Sequence, residues 1–337
     1  MTVADLDPHK TDAPIPSLAS LAAMEAPLFL PWSTELARIG TGFDSRLIDN
    51  AAKKAWVPKC AFQNLEEAVA LCETAGCTTS FREGSTDSTS SSSEHMSMSL
   101  GVTVGNKLLS ANVTGSYDSR IELNQNAYRV SKHCSYRAGR VILTPTPRLT
   151  DQARCLLEKD PGRFRDEYGD YYIAGLQLGA DAGCSLSVAA SSESRTETTK
   201  LSVTVHVLFW DATAETEDTQ SSQTSAFALN FMAYDTLTHS FVEQHCAEGA
   251  QTGSIKELAK RYMQAVLHLQ ASVDRKLVEW RVSPSAQLSI GQCQALCGTG
   301  VVSHLVLEPY SHLLEVRRLQ ATVHNWKNTR NSMLSEL

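Results

Sequence analysis

Two long stretches of apolar–polar alternation constrain this 337-residue chain more than any other feature. In the first, Met96, Met98, Leu100, Val102 and Val104 fall on one face of a strand, and Ser97, Ser99, Gly101, Thr103 and Gly105 on the other. After Asn106-Lys107 the parity shifts. Leu109, Ala111, Val113, Gly115, Tyr117, Ile121 and Leu123 then oppose Ser110, Asn112, Thr114, Ser116, Asp118, Arg120, Glu122 and Asn124. In the second block Leu186, Val188 and Ala190 alternate with Ser and Ala. Leu201, Val203, Val205, Val207 and Phe209 alternate with Ser202, Thr204 and His206, and Phe227, Leu229 and Phe231 continue the pattern. Polar tips separate these runs: Ser85 to Ser93 reads as a flexible Ser/Thr loop, with Ser191 to Lys200 and the acidic Thr213 to Ser225 in the second block. An ordinary half-exposed sheet shows the same alternation, so the pattern alone gives long antiparallel strands and no function.

Helical signals lie between and after the blocks. Asn64 with Glu67 reads as a capping box for a helix over residues 64–74, closed by Gly76. Thr150 caps a helix from Asp151, and Pro161 starts a second one to about Tyr168. From Ser254 a long amphipathic helix carries Ile255, Leu258, Tyr262, Val266, Leu269, Val273, Leu277 and Trp280 at spacings of three and four. Pro8, Pro14, Pro16 and Pro27 make the first thirty residues an irregular lead-in. The class is α+β, with helices segregated from long antiparallel strands.

Composition narrows the function. Hydrophobic residues are 42% and charged residues 20%, enough for a large core. The net charge of −7 argues against a nucleic-acid partner and a polybasic membrane grip, since neither phosphates nor anionic headgroups would be neutralised. The apolar run Leu18 to Leu30 is interrupted by Glu25 and Pro27 and follows Asp5, Asp7 and Asp12, so it is not read as a signal peptide. Cys72 with Cys77, and Cys293 with Cys297, are spaced to bridge a helix end, but reduced, buried thiols are the better reading of nine cysteines without a leader. Gly40-Thr41-Gly42 reads as a turn, and Cys293-x-x-x-Cys297 lacks a second pair at zinc spacing. We find no catalytic motif, and expect no enzyme, cofactor or metal site.

The segment from Phe164 to Ala180 resembles the signature of the membrane attack complex/perforin (MACPF) family: an aromatic, Gly-Thr-His, an aromatic, a short apolar strand and a Gly-Gly pair. Tyr168, Gly169, Tyr171 or Tyr172, and Gly179 fit it. Asp170, Tyr171 and Ala180 stand where the signature has Thr, His and the second Gly. The order around it matches as well: a Ser-rich alternating block, a strand like Ala127 to Leu143, Pro145-x-Pro147, helices, the signature, a second alternating block, helices, and a closing strand Val301 to Pro309 before Leu313-Leu314.

The resemblance implies a MACPF/cholesterol-dependent-cytolysin-like fold, a bent antiparallel four-stranded sheet flanked by two helical clusters. It divides the chain into a lead-in (1–31), a MACPF-like domain (32–320) and a C-terminal polar helix or tail (321–337). It implies a secreted or released soluble monomer, or one stored in the cytoplasm, that oligomerises into a homo-oligomeric ring on a lipid membrane, with or without a separate lipid-binding targeting protein. Each cluster then unrolls into an amphipathic β-hairpin of a large barrel. The hairpin candidates are Leu109, Ala111, Val113, Tyr117, Leu186, Val188, Leu201, Val203 and Val205. The alternative implied by the altered signature is a non-lytic member that binds membranes or protein partners.

Overall fold

The computed structural model describes residues 17–32, 38–48, 54–73, 78–86, 117, 120, 127–189, 228–247, 250–251, 253–319 and 321. Its strands are β1 (Leu28–Pro31), β2 (Thr41–Phe43), β3 (Trp56–Cys60), β4 (Val69–Glu73), β5 (Thr78–Thr86), β6 (Ala127–Leu143), β7 (Tyr171–Ala189), β8 (Leu229–Asp235), β9 (Ser240–Cys246), β10 (Gln287–Ser289) and β11 (Val302–Pro309). Its helices are α1 (Leu18–Ala23), α2 (Asp151–Lys159), α3 (Pro161–Tyr168), α4 (Gly253–Leu267), α5 (Leu269–Glu279) and α6 (Ile290–Cys297).

The eleven strands of the described residues join one sheet whose paired strands are antiparallel. Its spine is β6 against β7, registered from Ala127↔Ala189 to Ile142↔Gly175. Each spine strand changes its outer partner midway. β6 pairs with β5 through Arg137 and with β4 from Arg140; β7 pairs with β11 through Leu178 and with β8 from Ala182. The upper half therefore reads β5–β6–β7–β8, with β9 outside β8.

Alternation along the spine sorts its side chains. Val130 on β6 and Cys184, Leu186 and Val188 on β7 pack with Phe231 against Ile255, Ala259, Tyr262 and Met263 of α4. Lower down, Cys134, Tyr136, Leu176 and Leu178 meet Val273 and Leu277 of α5. Tyr172 and Ala174 belong to a separate core with Phe164 and Tyr168 of α3 and Leu157 of α2. The caps of α2 and α3 form as the sequence predicts: Thr150 accepts from Ala153 N at 3.1 Å, and Asp160 accepts from Arg163 N ahead of Pro161.

Several expectations are corrected. The lead-in is not irregular from residue 17 on. Ser17 caps α1, and β1 pairs with β11 from Leu28↔Leu307 to Pro31↔His304, burying Leu18, Leu28 and Leu30 to 2% exposure or less. The helix expected over 64–74 is a single 3-10 turn, Leu65–Glu67, followed by β4. Asn64 is left-handed (φ 51°) and makes no cap, and the Val69–Cys72 run fits between β6 and β10. The long helix after Ser254 is interrupted at His268, and Trp280 at its end is exposed rather than part of the buried stripe. Cys293 and Cys297 are free thiols on α6, where the Cys297 thiol donates to the carbonyl of Cys293; Cys77 lies outside the described residues. Burial pushes Cys184 and Cys297 up to about 12, which keeps both protonated and unreactive at neutral pH.

Candidate functional site

The signature residues from Tyr168 to Tyr172 meet where α3 turns into β7. Gly169 ends α3 at φ 84°, a left-handed value, and a side chain there would strike the carbonyl oxygen of Phe43 at 2.4 Å. The chain is held on both sides of this turn, since Asp170 N donates to Phe43 O and Tyr310 N donates to Asp170 O. The Asp170 carboxylate, which stands in place of the signature Thr, accepts from Ser45 N (2.7 Å), Ser45 Oγ (2.6 Å) and the Arg165 guanidinium. Arg165 also faces Asp44 at 3.6 Å, and Arg46 joins Asp44 to Asp166. Burial alone would raise the Asp44 carboxyl, but hydrogen bonds and charge from Arg46, with charge from Arg165, outweigh it and hold it below its usual value.

Tyr171, in place of the signature His, donates its hydroxyl to Ala26 O at 3.0 Å and is 1% exposed. Burial, then the charges of Asp170 and Glu25, push that phenol above its ordinary range, so it stays a donor. The bond ties the link between α1 and β1 to the start of β7. Tyr171→Phe is expected to lose about 1 kcal/mol of stability with little change in packing, measured as a lower urea midpoint at unchanged slope. Tyr172 points into a ring cluster, with Phe62 at 4.8 Å and Tyr310 at 5.0 Å between centroids. A cleft of about 480 Å³ opens beside Asp170, Tyr171, Glu25 and Phe164. Glu25 is spent on Ser311 Oγ and Asp170 on Ser45 and Arg165, so among the described residues the cleft presents no reactive pair.

The second part of the site is the line where both spine strands change partners. Ala138 of β6 is an extra residue between Arg137↔Gly179 and Gly139↔Leu178, and Ser303 of β11 is an extra residue at the same level. Such bulges bend a strand and sharpen its twist. Gly179 takes φ 146° between them, and a Cβ there would lie 2.0 Å from the carbonyl oxygen of Tyr136. Ala180, in place of the second signature Gly, sits fully buried in the core beneath the sheet.

Polar side chains pin this line. Arg137 pairs with Asp181 at 2.8 Å, both largely buried, and donates to the carbonyls of Tyr136 and Ala180. Gln177 donates to Gly139 O at 2.7 Å. Lys276 of α5 donates to Leu237 O and Thr299 O, joining the turn after β8 to the turn before β11. Sequence reasoning misses Arg137, Asp181, Gln177 and Lys276. Arg137 and Asp181 fall in phase with the polar side of the alternation, beside His133 and Ser135 on β6 and Ser185 and Ser187 on β7, so the pattern gives no signal that singles them out.

The third part is the upper end of the sheet. Thr86 ends β5 opposite Arg129, Ala127 begins β6 opposite Ala189 at the end of β7, and Leu229 begins β8 opposite Val188. Residues 87–126 and 190–228 therefore both leave and return at one end of four adjacent antiparallel strands. Of the hairpin candidates, Leu186 and Val188 lie on β7, each 1% exposed against the α4 side. Leu109, Ala111, Val113, Leu201, Val203 and Val205 lie outside the described residues. Tyr117, read as a strand residue, is helical and packs with Met232 and Tyr234 of β8.

No family model matches the chain and no curated protein matches it. Among solved structures it is similar to GNIP1Aa from Chromobacterium piscinae, with 12% identity over 89% of this chain and 57% of that one, at a TM-score of 0.26. It is similar to a wild-type pneumolysin, with 7% identity over 69% of this chain and 40% of that one (TM-score 0.24). It is also similar to Astrotactin-2, described as a conserved vertebrate-specific and perforin-like membrane protein involved in neuronal development, with 14% identity over 66% of this chain and 96% of that one (TM-score 0.25). The chain spans less than two thirds of the length of GNIP1Aa and of the pneumolysin. At these scores the likenesses carry no argument, and the functional reading stands on the sheet and the signature turn.

Proposed function

We propose that this protein is a MACPF-type pore former: a soluble monomer, secreted or released, that oligomerises on a target membrane and extends residues 87–126 and 190–228 into two β-hairpins of a large barrel. The observation that carries the reading is the placement of both inserts at one end of β5–β6–β7–β8. Extension there would continue four existing strands without crossing any connection. Each insert is about forty residues long, enough for two membrane-spanning strands of roughly ten residues each plus a stem and a turn. The alternation within both inserts supplies one face for lipid and one for water. Among the described residues β5 and β9 are the outer strands of this half, and closure of many copies into a ring would satisfy their edges. The role is non-catalytic, and a separate lipid-binding protein is a natural partner for a chain of net charge −7.

The test is dye release from vesicles of varied lipid composition, with the products sized in detergent. Leakage accompanied by SDS-resistant or ring-shaped oligomers is the expected result. A folded monomer that stays monomeric and releases no dye from any mixture, with or without extracts of candidate host cells, sinks the lytic reading. The non-lytic alternative would then hold, favoured by the ion-paired Asp170 and the buried Tyr171 in place of the signature Thr and His.

A further inference from the structure

The chain carries a net charge of −7, yet one cleft at its surface is lined mainly by cations. It has a volume of about 700 Å³ and lies between the loop that follows β6, one side of α2, and the helical residues 314–319. Three arginines line it, Arg148, Arg154 and Arg318, against one carboxylate, Glu315. That carboxylate is spent within the fold. One of its oxygens accepts from Arg154 Nε at 2.7 Å, and the other accepts from the backbone N–H of Leu149 at 3.1 Å. Arg154 therefore neutralises Glu315, and the lining keeps a surplus of positive charge.

Arg148 is placed to use that surplus. Its carbonyl accepts from Gln63 N at 3.0 Å, and the next residue, Leu149, is fully buried, so the backbone that carries the guanidinium is fixed. The Arg148 side chain itself is exposed and has no ion pair among the described residues. The wall beside it is apolar. Pro147, Leu313 and Leu314 line the same cleft, and Leu314 is 70% exposed although it faces a concavity. Small-molecule sites have this size and this make-up, an apolar wall with a few charged groups that orient the ligand. A guanidinium fits a carboxylate in particular, because it can donate two parallel hydrogen bonds to it.

We propose that this cleft binds a small amphiphile with a carboxylate head, the chemistry of a medium-chain fatty acid. Arg148 holds the head, and Leu313 and Leu314 cover the chain. The occupant comes from solution. β6 starts at Ala127, beside the two inserts, and ends at Leu143, two residues before the cleft, which puts the cleft about 50 Å along the strand from the end assigned to the membrane. Binding at the cleft does not depend on the pore-forming reading.

The test is isothermal titration of the full chain with decanoate, with decyltrimethylammonium as a cation of the same chain length and acetate as the head alone. Saturable binding of decanoate is expected, at least about tenfold tighter than that of either control. Arg148→Gln is expected to weaken it by about tenfold or more, and Leu314→Ser by about fivefold. Both side chains are exposed, so both variants should melt within about 2 °C of the wild type. Equal affinity for decanoate and the cation, or for decanoate and acetate, overturns the proposal. So does an Arg148→Gln variant that binds decanoate as the wild type does. Binding to anionic vesicles that Arg148→Gln abolishes, without saturable binding of decanoate, would make the cleft a lipid-headgroup site and overturn it as well. Decanoate binding with the expected losses in a protein that never releases dye would uphold the cleft while the pore reading falls.

Discussion

Replacing Gly179 by alanine is expected to lower stability by about 3 kcal/mol or more, or to abolish recovery of folded protein. The backbone at φ 146° is one that L side chains rarely adopt, and the added Cβ would sit 2.0 Å from a backbone carbonyl, that of Tyr136. Backbone atoms in mid-sheet cannot swing aside as a flexible side chain would. Relief would need the Ala138 bulge to shift, and with it the register of β6 on β7. Urea unfolding followed by circular dichroism measures the loss. Gly291→Ala in α6 is the control: its new Cβ meets nothing closer than 3.9 Å, and its stability should move by less than about 1 kcal/mol. A Gly179→Ala midpoint matching that control would show that the bend line is soft.

Asp181→Ala is expected to be nearly as damaging, with a loss of about 3–5 kcal/mol, because it takes the carboxylate away from a largely buried guanidinium. Arg137 is 12% exposed and Asp181 5%, so water has little access to replace what is lost. The bonds from Arg137 to the carbonyls of Tyr136 and Ala180 would remain, but they do not neutralise charge. Removing both charges, as Arg137→Met with Asp181→Leu, is expected to recover most of the stability, since an apolar pair of similar volume needs no compensation there. A double variant as unstable as the single one would show that the pair fixes the strand geometry rather than only balancing charge.

How far the sequence foretells the structure depends on whether the deciding interaction is local. β6 has the bounds that the family resemblance gives it, and α2 and α3 are legible from Thr150 and Pro161, because capping acts over a few residues. Gly169 and Gly179, marked in the sequence by the signature, take φ 84° and 146°. The segment after Asn64 misleads for the complementary reason. Its polar start and Glu67 imitate a helix cap, while the interactions that decide it come from β6 and β10, over 65 and 210 residues away. β1 is hidden in the same way, behind prolines that an edge strand tolerates and opposite a partner near residue 306. At the candidate site, the signature turn is legible but the ion network under Asp170 is not. Ser45, Asp44 and Arg165 come together only once β2 lies beside β7. Tyr117 shows the limit of periodicity itself: an alternating run reads as strand even where the chain takes a helix.

The pairing of β1 with β11 carries a consequence for how the molecule is made. Leu28 and Leu307 share a ladder position, and β11 is the one strand that β1 pairs with among the described residues. On the ribosome, β1 therefore emerges well ahead of its partner and waits, its donors and acceptors open, until about 270 further residues have been translated. Joining segments so far apart adds little closure entropy, since that cost grows only with the logarithm of length. The burden is one of time: an apolar strand left unpaired through most of synthesis is a stretch for which a nascent-chain chaperone would have reason to compete.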